Sequence, residues 1–409
     1  MPQIQANNPD ETNMPGDSDW YGTRSVSPVQ TLGRVLPLLP DMGITRVANV
    51  TGLDRIGIPV VMVTRPTARS LAVSQGKGLS LEAAKVSGIM EAVELYHAET
   101  IQNPLKLGSA RELSGNHDLV EIDRLAKVVD CRFHPDLVML WIEGKEVSSG
   151  NSRWLPFECV RANFTVPPPP GSGCFDCSSN GLASGNTIAE AVCQGLYEVV
   201  ERDSTALWNQ STQTERQDRK IDPSSIKDDG CKQVIELFEN AGLSIGIWET
   251  TTDIGVPSYF CLVLDRTDPT SHGGIGAGAH PDNRQALMRA MLEAAQVRMT
   301  YITGVRDDLA PVEYNDAFLR KRHLFFRRVL DRPGKMRKFE TSSRSWTTDD
   351  CIEFILDRLR LAGLAEPLAV DLSKPEFDLP VVRIVVPGLE GPDDHDGYVP
   401  GLRARKGSA

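Results

Sequence analysis

The stretch Thr187–Trp208, TIAEAVCQGLYEVVERDSTALW, constrains the fold more than any other part of the chain. Glu190, Gln194, Glu198 and Glu201 recur in it at steps of four, four and three. On a helix turning about 100° per residue, these side chains share a stripe roughly 80° wide. Thr187 is a good N-cap, and Glu190 three residues on predicts a capping box. The rest is largely apolar, with Ala191, Val192, Cys193, Leu196, Val199 and Val200. A line of carboxylates on an otherwise buried helix is costly unless it faces cations. Arg202 alone does not balance the line, so something positive is expected against it.

Two further segments have the same character. Ser80 caps a predicted helix running to about Glu99, in which Ser87, Glu91 and Glu94 stand at i, i+4 and i+7 among apolar neighbours. Asp282, with Gln285 at the capping-box position, starts a third, in which Arg289, Glu293 and Gln296 share one face. Each follows a stretch that reads as a Gly/Ser-rich loop: 69–78, Ser178–Asn186 and Gly273–His280. Three helices of one kind suggest one site. Five converging carboxylates, Glu91, Glu94, Glu198, Glu201 and Glu293, need divalent cations, and hard all-oxygen ligands favour Mg²⁺ over zinc. Mg²⁺ usually keeps waters and bridges phosphates. Lys77, Arg202 and Arg289 suit phosphate oxygens. The constellation reads as a metal-clamped nucleoside triphosphate site, where positioning and charge neutralisation supply most of the catalysis. The usual nucleotide motifs are missing. Gly76-Lys77 has Leu71 where a P-loop needs glycine, and in Gly274-Ile-Gly276-Ala-Gly278-Ala279 the helix starts too late for a dinucleotide turn.

Around this centre, Pro59–Thr64, Leu137–Gly144, Ser258–Leu264 and Val381–Val386 read as strands, and Val29–Leu39 as a helix. Residues 231–249 and 349–371 each read as a helix followed by a strand, and 167–173 (PPPPGSG) as a stiff linker. No repeat of 20–50 residues is visible. The length of 409 residues suffices for a large core, and no apolar run approaches the roughly 18 residues of a membrane span. A net charge of −11 argues against non-specific nucleic-acid binding. The N-terminus lacks the basic and apolar regions of a signal peptide, and eight cysteines in this length are no disulfide framework, so a reduced cytoplasmic setting is expected. Residues 1–18 read as a disordered tail, 19–402 as one domain and 403–409 as a short C-terminal tail. Cys174-x-x-Cys177 lacks a second ligand pair for zinc and reads as free thiols. Glu94-x-x-His97 is half of a di-iron pattern without its partner. His280 reads as structural. The block Arg320–Lys338 reads as a solvated helix face or a dock for an acidic peptide or partner.

Taken together, Ser87-x3-Glu91-x2-Glu94, SNGLASGNT-x2-EA-x3-GL-x-E-x2-ERD and GAGAH-x5-AL-x-RA-x2-EA-x-Q-x-R resemble the YcaO family, from about Tyr21 to Gly401. The resemblance implies a mixed α/β (α+β) fold with sheets and helices around a non-P-loop ATP/Mg²⁺ site. It implies Glu91, Glu94, Glu198, Glu201 and Glu293 as Mg²⁺ ligands and Ser87, Asn186, Glu190, Arg202 and Arg289 as nucleotide contacts, with Arg24 a basic contact near the N-terminus. The chemistry implied is ATP-dependent phosphorylation of a backbone amide oxygen in a ribosomally made peptide, followed by attack of a nucleophile at the amide carbon. The ending VPGLRARKGSA lacks the proline-rich tail of many azoline-forming members, and no fused leader-binding domain is expected. The runs GTRSVSPVQTL and GITRVANVTGLDRIGIPV look more like members that work beside a TfuA-type partner and form thioamides. Thioamide formation on a peptide or protein substrate is therefore the leading expectation. Azoline formation, then amidine formation or hydrolysis, come after it, and a non-catalytic ATP-binding accessory protein is the reading from another class. A homodimer is the expected assembly.

Overall fold

Alternating apolar strands, short turns and three long helices with small-residue faces dictate a layered α/β molecule. The computed structural model describes residues 24–306, 308–333, 336–341, 344–394 and 397–406. The tail expected over 1–18 lies outside them, as do the last three residues of the C-terminal tail. In chain order, α1 (Pro28–Val35) opens on a Ser27 capping box and gives way to a 3₁₀ turn at Leu36–Leu38, shorter than the helix expected to Leu39. Strands β1 (Arg46–Asn49), β2 (Val60–Thr64) and β3 (Val73–Lys77) form an antiparallel meander that leads into α2 (Leu81–Glu99). After β4 (Leu105–Gly108) and the short α3 (Ala110–Leu113) come β5 (Met139–Glu146), β6 (Ser152–Pro156) and β7 (Leu182–Ser184), which leads into α4 (Ile188–Gln210). Helices α5 (Gln213–Asp218) and α6 (Asp229–Asn240) precede a second antiparallel meander. Its strands are β8 (Leu243–Glu249), β9 (Ser258–Asp265) and β10 (Gly274–Ala279), and it leads into α7 (Asn283–Thr303). Helices α8 (Asp316–Leu330) and α9 (Thr348–Leu361), strands β11 (Leu368–Asp371) and β12 (Val381–Val385), and α10 (Leu402–Lys406) complete the order.

The six remaining strands make one sheet in the order β4-β5-β11-β12-β7, with β6 on the other edge of β5. The two helix-then-strand stretches expected at 231–249 and 349–371 are present as α6–β8 and α9–β11, but their strands enter different sheets. One core lies between the first meander, α2 and the six-stranded sheet, around Val61, Ile89, Val93, Trp141 and Leu155. A second joins α6 and α7 to the second meander through Phe238, Ile247, Cys261, Leu287 and Met291. A third packs α4 between α9 and β12 through Leu196, Val200, Ile355 and Ile384. No helix among the described residues is long and apolar enough to cross a membrane.

Two stretches expected as glycine-rich loops are strands, β3 and β10, and a third holds β7. Their small residues serve close packing rather than turning. A Cβ on Gly76 would stand 2.0 Å from the carbonyl oxygen of Ala84 on α2, and one on Gly278 2.2 Å from that of Ala286 on α7. Without side chains at these points, each strand lies directly on the backbone of the helix that follows it.

Candidate active site

Each of these three strands reaches its helix through three residues, the third being the N-cap: Gly78-Leu79-Ser80, Gly185-Asn186-Thr187 and His280-Pro281-Asp282. Counted from the cap, the three helices are in step. The fourth residue is alanine in all three (Ala84, Ala191, Ala286), and the eighth is Gly88, Gly195 or Ala290. These small residues face the preceding strand or its neighbours. The seventh, eleventh and fourteenth are Ser87, Glu91 and Glu94; Gln194, Glu198 and Glu201; Arg289, Glu293 and Gln296. All nine line one cleft of about 660 Å³. Equal offsets on equally seated helices aim three polar stripes at one centre, although the sequence shows no overt repeat. Arg24, Asn186, Glu190 and Arg202 line the same cleft, so the structure brings every expected site residue together.

The caps differ from expectation in detail. Thr187 accepts from the Glu190 N–H at 3.1 Å, but the Glu190 carboxylate does not close a capping box. It accepts instead from the Asn186 N–H and Nδ2 at 2.9 and 3.0 Å, from the Ser25 N–H, and from Arg24 Nη1 at 3.3 Å. Those donors hold it below the usual carboxylate range against the upward push of burial. Asn186 in turn accepts from Thr31 Oγ1 at 2.8 Å, which fastens the start of α1 to the cleft rim. Asp282 caps the Arg284 N–H and pairs with its guanidinium, again without a capping box to Gln285. His280 accepts from the Asp282 N–H through Nδ1 and is pushed down to about 3, chiefly by burial, as suits a neutral structural histidine.

The carboxylates divide by environment. Burial pushes Glu94 up to about 8, although Ser184 donates to it from both N–H (2.8 Å) and Oγ (2.6 Å), and Glu198 and Glu91 push the same way. Burial, aided by Glu201, pushes Glu198 up to about 7 against Arg202. Glu91 and Glu201 are also raised, first by burial. Burial would raise Glu293 too, but Lys77, Arg202 and the Ala277 N–H, donating at 2.5 Å, outweigh it and hold it low. Arg202 lies 3.8 Å from Glu201 and 3.9 Å from Glu293. Arg289 donates to Gln194 at 3.0 Å and lies over the Tyr197 ring, 5.5 Å from its centroid. The cations present thus neutralise only part of the acid set.

This donor set fits hard divalent cations. Five carboxylates from three helices face one volume, and most are held toward the protonated state by burial and mutual repulsion. Among the described residues no three His, Cys, Asp or Glu side chains close around a single point. Mg²⁺ needs no closed protein cage, because it usually keeps several waters and takes phosphate oxygens beside one or two carboxylates. Sequence reasoning missed Arg306 and Asp394, which line the cleft, and Ser184, which steers Glu94. Arg306 had a faint signal: Gly304 ends α7 in the left-handed conformation two residues before it. Cys174 and Cys177 are free thiols, as are the other six cysteines.

The family model described as YcaO cyclodehydratase, ATP- and Mg²⁺-binding, matches residues 75–390. The chain belongs to the YcaO family, and ATP and Mg²⁺ are that family's cofactors. A protein from Rhizobium leguminosarum bv. trifolii, named as an uncharacterized protein in the tfuA 3′ region, is 36% identical over 387 residues, 92% of this chain and 90% of the relative. Among solved structures, YcaO from Methanopyrus kandleri bound with AMPPCP and Mg²⁺ is similar at a TM-score of 0.69 and 23% identity, over 90% of this chain and 92% of that one. A heterocyclase in complex with substrate and cofactor is similar at a TM-score of 0.72 and 24% identity, over 90% of this chain. This chain spans about half of that heterocyclase, 53% of its length. These likenesses establish the mixed α/β fold with its several sheets.

Proposed function

We propose that the chain is an ATP- and Mg²⁺-dependent enzyme that activates a backbone amide of a peptide or protein substrate, for thioamide formation with a sulfur donor. The observation that carries this reading is the set of five carboxylates, one or two from each of three helices, facing one cleft together with Arg202 and Arg289. Glu91, Glu94, Glu198, Glu201 and Glu293 would hold Mg²⁺. Ser87, Asn186, Glu190, Arg202 and Arg289 would contact the nucleotide, with Arg24 at the rim, and Glu190 would also hold Asn186 and Arg24 in place for it. Bound Mg²⁺ and ATP would supply the phosphoryl group that converts an amide oxygen into a leaving group. The guanidinium groups of Arg202 and Arg289 would stabilise charge on transferring phosphoryl oxygens. Hydrosulfide adding at the amide carbon, with loss of that oxygen as phosphate, leaves C=S beside the N–H, and no redox step is needed. The thioamide branch is supported by the relative named for the tfuA 3′ region. A TfuA-type partner, a homodimer and a cytoplasmic setting belong to the same reading.

The test is phosphate release by the purified chain with Mg²⁺, ATP, a candidate peptide and sulfide, followed by intact mass of the peptide. Oxygen-for-sulfur exchange supports thioamidation. Loss of one water without sulfide use would place the enzyme among azoline formers. Tight ATP binding with no peptide-stimulated turnover would support the accessory-protein reading instead.

A further inference from the structure

Helix α8 carries the basic block that the reading above leaves without a role. Its sequence, DAFLRKRHLFFRRVL, holds five arginines and lysines against one aspartate, in a chain whose net charge is −11. Leu319, His323 and Leu330 turn inward and are buried. Leu330 joins Trp208, Trp248, Leu262 and Leu264 in a small core, with Phe326 against it. Along β9, Leu262 and Leu264 point to this core, while Cys261 and Val263 point to the core shared with α7. Side chains alternate across a sheet, so α8 lies on the face of the second meander opposite to α7 and its cleft residues.

The outward face of α8 is unusual for a solvated helix. Phe318, Leu324 and Phe325 are 36%, 56% and 53% exposed. Phe318, Lys321, Phe325 and Arg328 follow at steps of three, four and three, the spacing by which one helix meets another. Among the described residues, Arg322 and Arg327 have carboxylate partners, at Glu313 and Asp331, whereas Arg320, Lys321 and Arg328 have none. Two aromatic rings and a leucine thus share the outward side of the helix with three cations that have no carboxylate partner among the described residues.

We propose that this face docks a partner protein through an acidic amphipathic helix, whose apolar stripe covers Phe318, Leu324 and Phe325 and whose carboxylates pair Arg320, Lys321 and Arg328. The positive charge of α8 selects an acidic partner, and the i, i+3, i+7 spacing selects a helix. Because the face lies behind the sheet from the cleft, the occupant is a protein partner rather than the peptide whose amide reacts. The proposal does not depend on the reaction assigned to the cleft.

The probe is a labelled synthetic helix of about 20 residues, long enough to hold helical structure, with leucines at i, i+3, i+7 and flanking glutamates. It is titrated with the full-length chain by fluorescence anisotropy. Saturable binding that weakens with salt is expected, with a loss of about tenfold or more in Phe325→Ala and in the triple variant R320E/K321E/R328E. Unchanged melting temperatures in both variants would show that the fold is intact. A control helix with glutamine for glutamate should bind at least about tenfold more weakly. Equal affinity for the two helices, absence of binding, or indifference to both variants would overturn the proposal. So would a wild-type dimer that becomes monomeric in the triple variant, which would give the face to a second copy of the chain. Binding to anionic vesicles but not to the acidic helix would give it to a membrane surface and equally overturn it.

Discussion

At the scale of single residues, the site is a place where ionised carboxylates are poorly solvated. Glu94 and Glu198 are pushed up to about 8 and about 7 from an ordinary value of 4.5. A carboxyl raised in the folded chain binds its proton more tightly there than in the unfolded chain. Its contribution to stability is complete below pH 4.5 and is lost as pH rises through the folded value. For Glu198 the loss between about pH 5 and 8 should reach about 3 kcal/mol. Buried His280 works in the opposite direction below its ordinary value, so the measurement is the difference between wild type and Glu198→Gln. Urea unfolding across this range should show a steeper decline for wild type than for the variant. Saturating Mg²⁺ and ATP should restore the lost stability, by about 2.7 kcal/mol at a hundredfold excess over Kd. Catalysis should respond the other way. Glu201→Gln, isosteric and without the charge, should abolish peptide-stimulated phosphate release while leaving the melting temperature unchanged or raised. Wild-type turnover in that variant would contradict the assignment.

At the scale of the element, the strand–helix unit sets where the carboxylates point. Gly76→Ala would place a methyl group 2.0 Å from the Ala84 oxygen and 2.1 Å from the Gly88 nitrogen, both backbone atoms. Strand and helix would have to part, at a cost of about 1–3 kcal/mol or more. Because Glu91 and Glu94 ride on that helix, ATP affinity should fall along with stability. Gly33→Ala, in α1 with nothing within 4 Å, is the control; it should stabilise by up to about 1 kcal/mol. Denaturation curves and nucleotide titration of both variants check the pair. The polar stripes were legible in the sequence because helical periodicity survives in one dimension: Glu91 and Glu94, or Glu198 and Glu201, sit at spacings that only a helix gathers. The strands β3 and β10 were not. Gly274, Gly276 and Gly278 look like a turn until the backbone of α7 is seen lying against them. By the local rule of the capping box, the Glu190 carboxylate would accept from the Thr187 N–H. It turned to Arg24 and Ser25, some 165 residues distant, and tertiary hydrogen bonds of that kind leave no local mark.

At the scale of the whole molecule, the C-terminal segment is fastened to α4 by buried charge. Asp203, fully buried and two residues beyond Glu201, accepts from Arg403 Nε at 2.8 Å and from the Glu390 N–H at 3.0 Å. Glu390 itself accepts from the Tyr398 hydroxyl and from the N–H groups of Gly401, Arg403 and Ala404, which holds the start of α10. Arg403→Ala leaves Asp203 without its cation and should cost about 3–5 kcal/mol near pH 8. Burial already pushes Asp203 up to about 6. The deficit should therefore shrink near pH 5, where the group is neutral and needs no cation. The double variant Asp203→Asn/Arg403→Ala should recover part of the loss at pH 8, and thermal unfolding at the two pH values separates these outcomes.

The equal counting from cap to cleft carries a consequence for how such a chain tolerates changes in length. Each added residue turns everything downstream on a helix by about 100°. One codon gained between Ser80 and Ser87 would swing Glu91 and Glu94 out of phase with their counterparts on the other two helices, while composition and hydropathy stayed almost the same. Substitutions away from the polar stripe and the close-packed small residues can accumulate along these three segments, but insertions and deletions there should be purged, and should be tolerated instead in surface turns outside them.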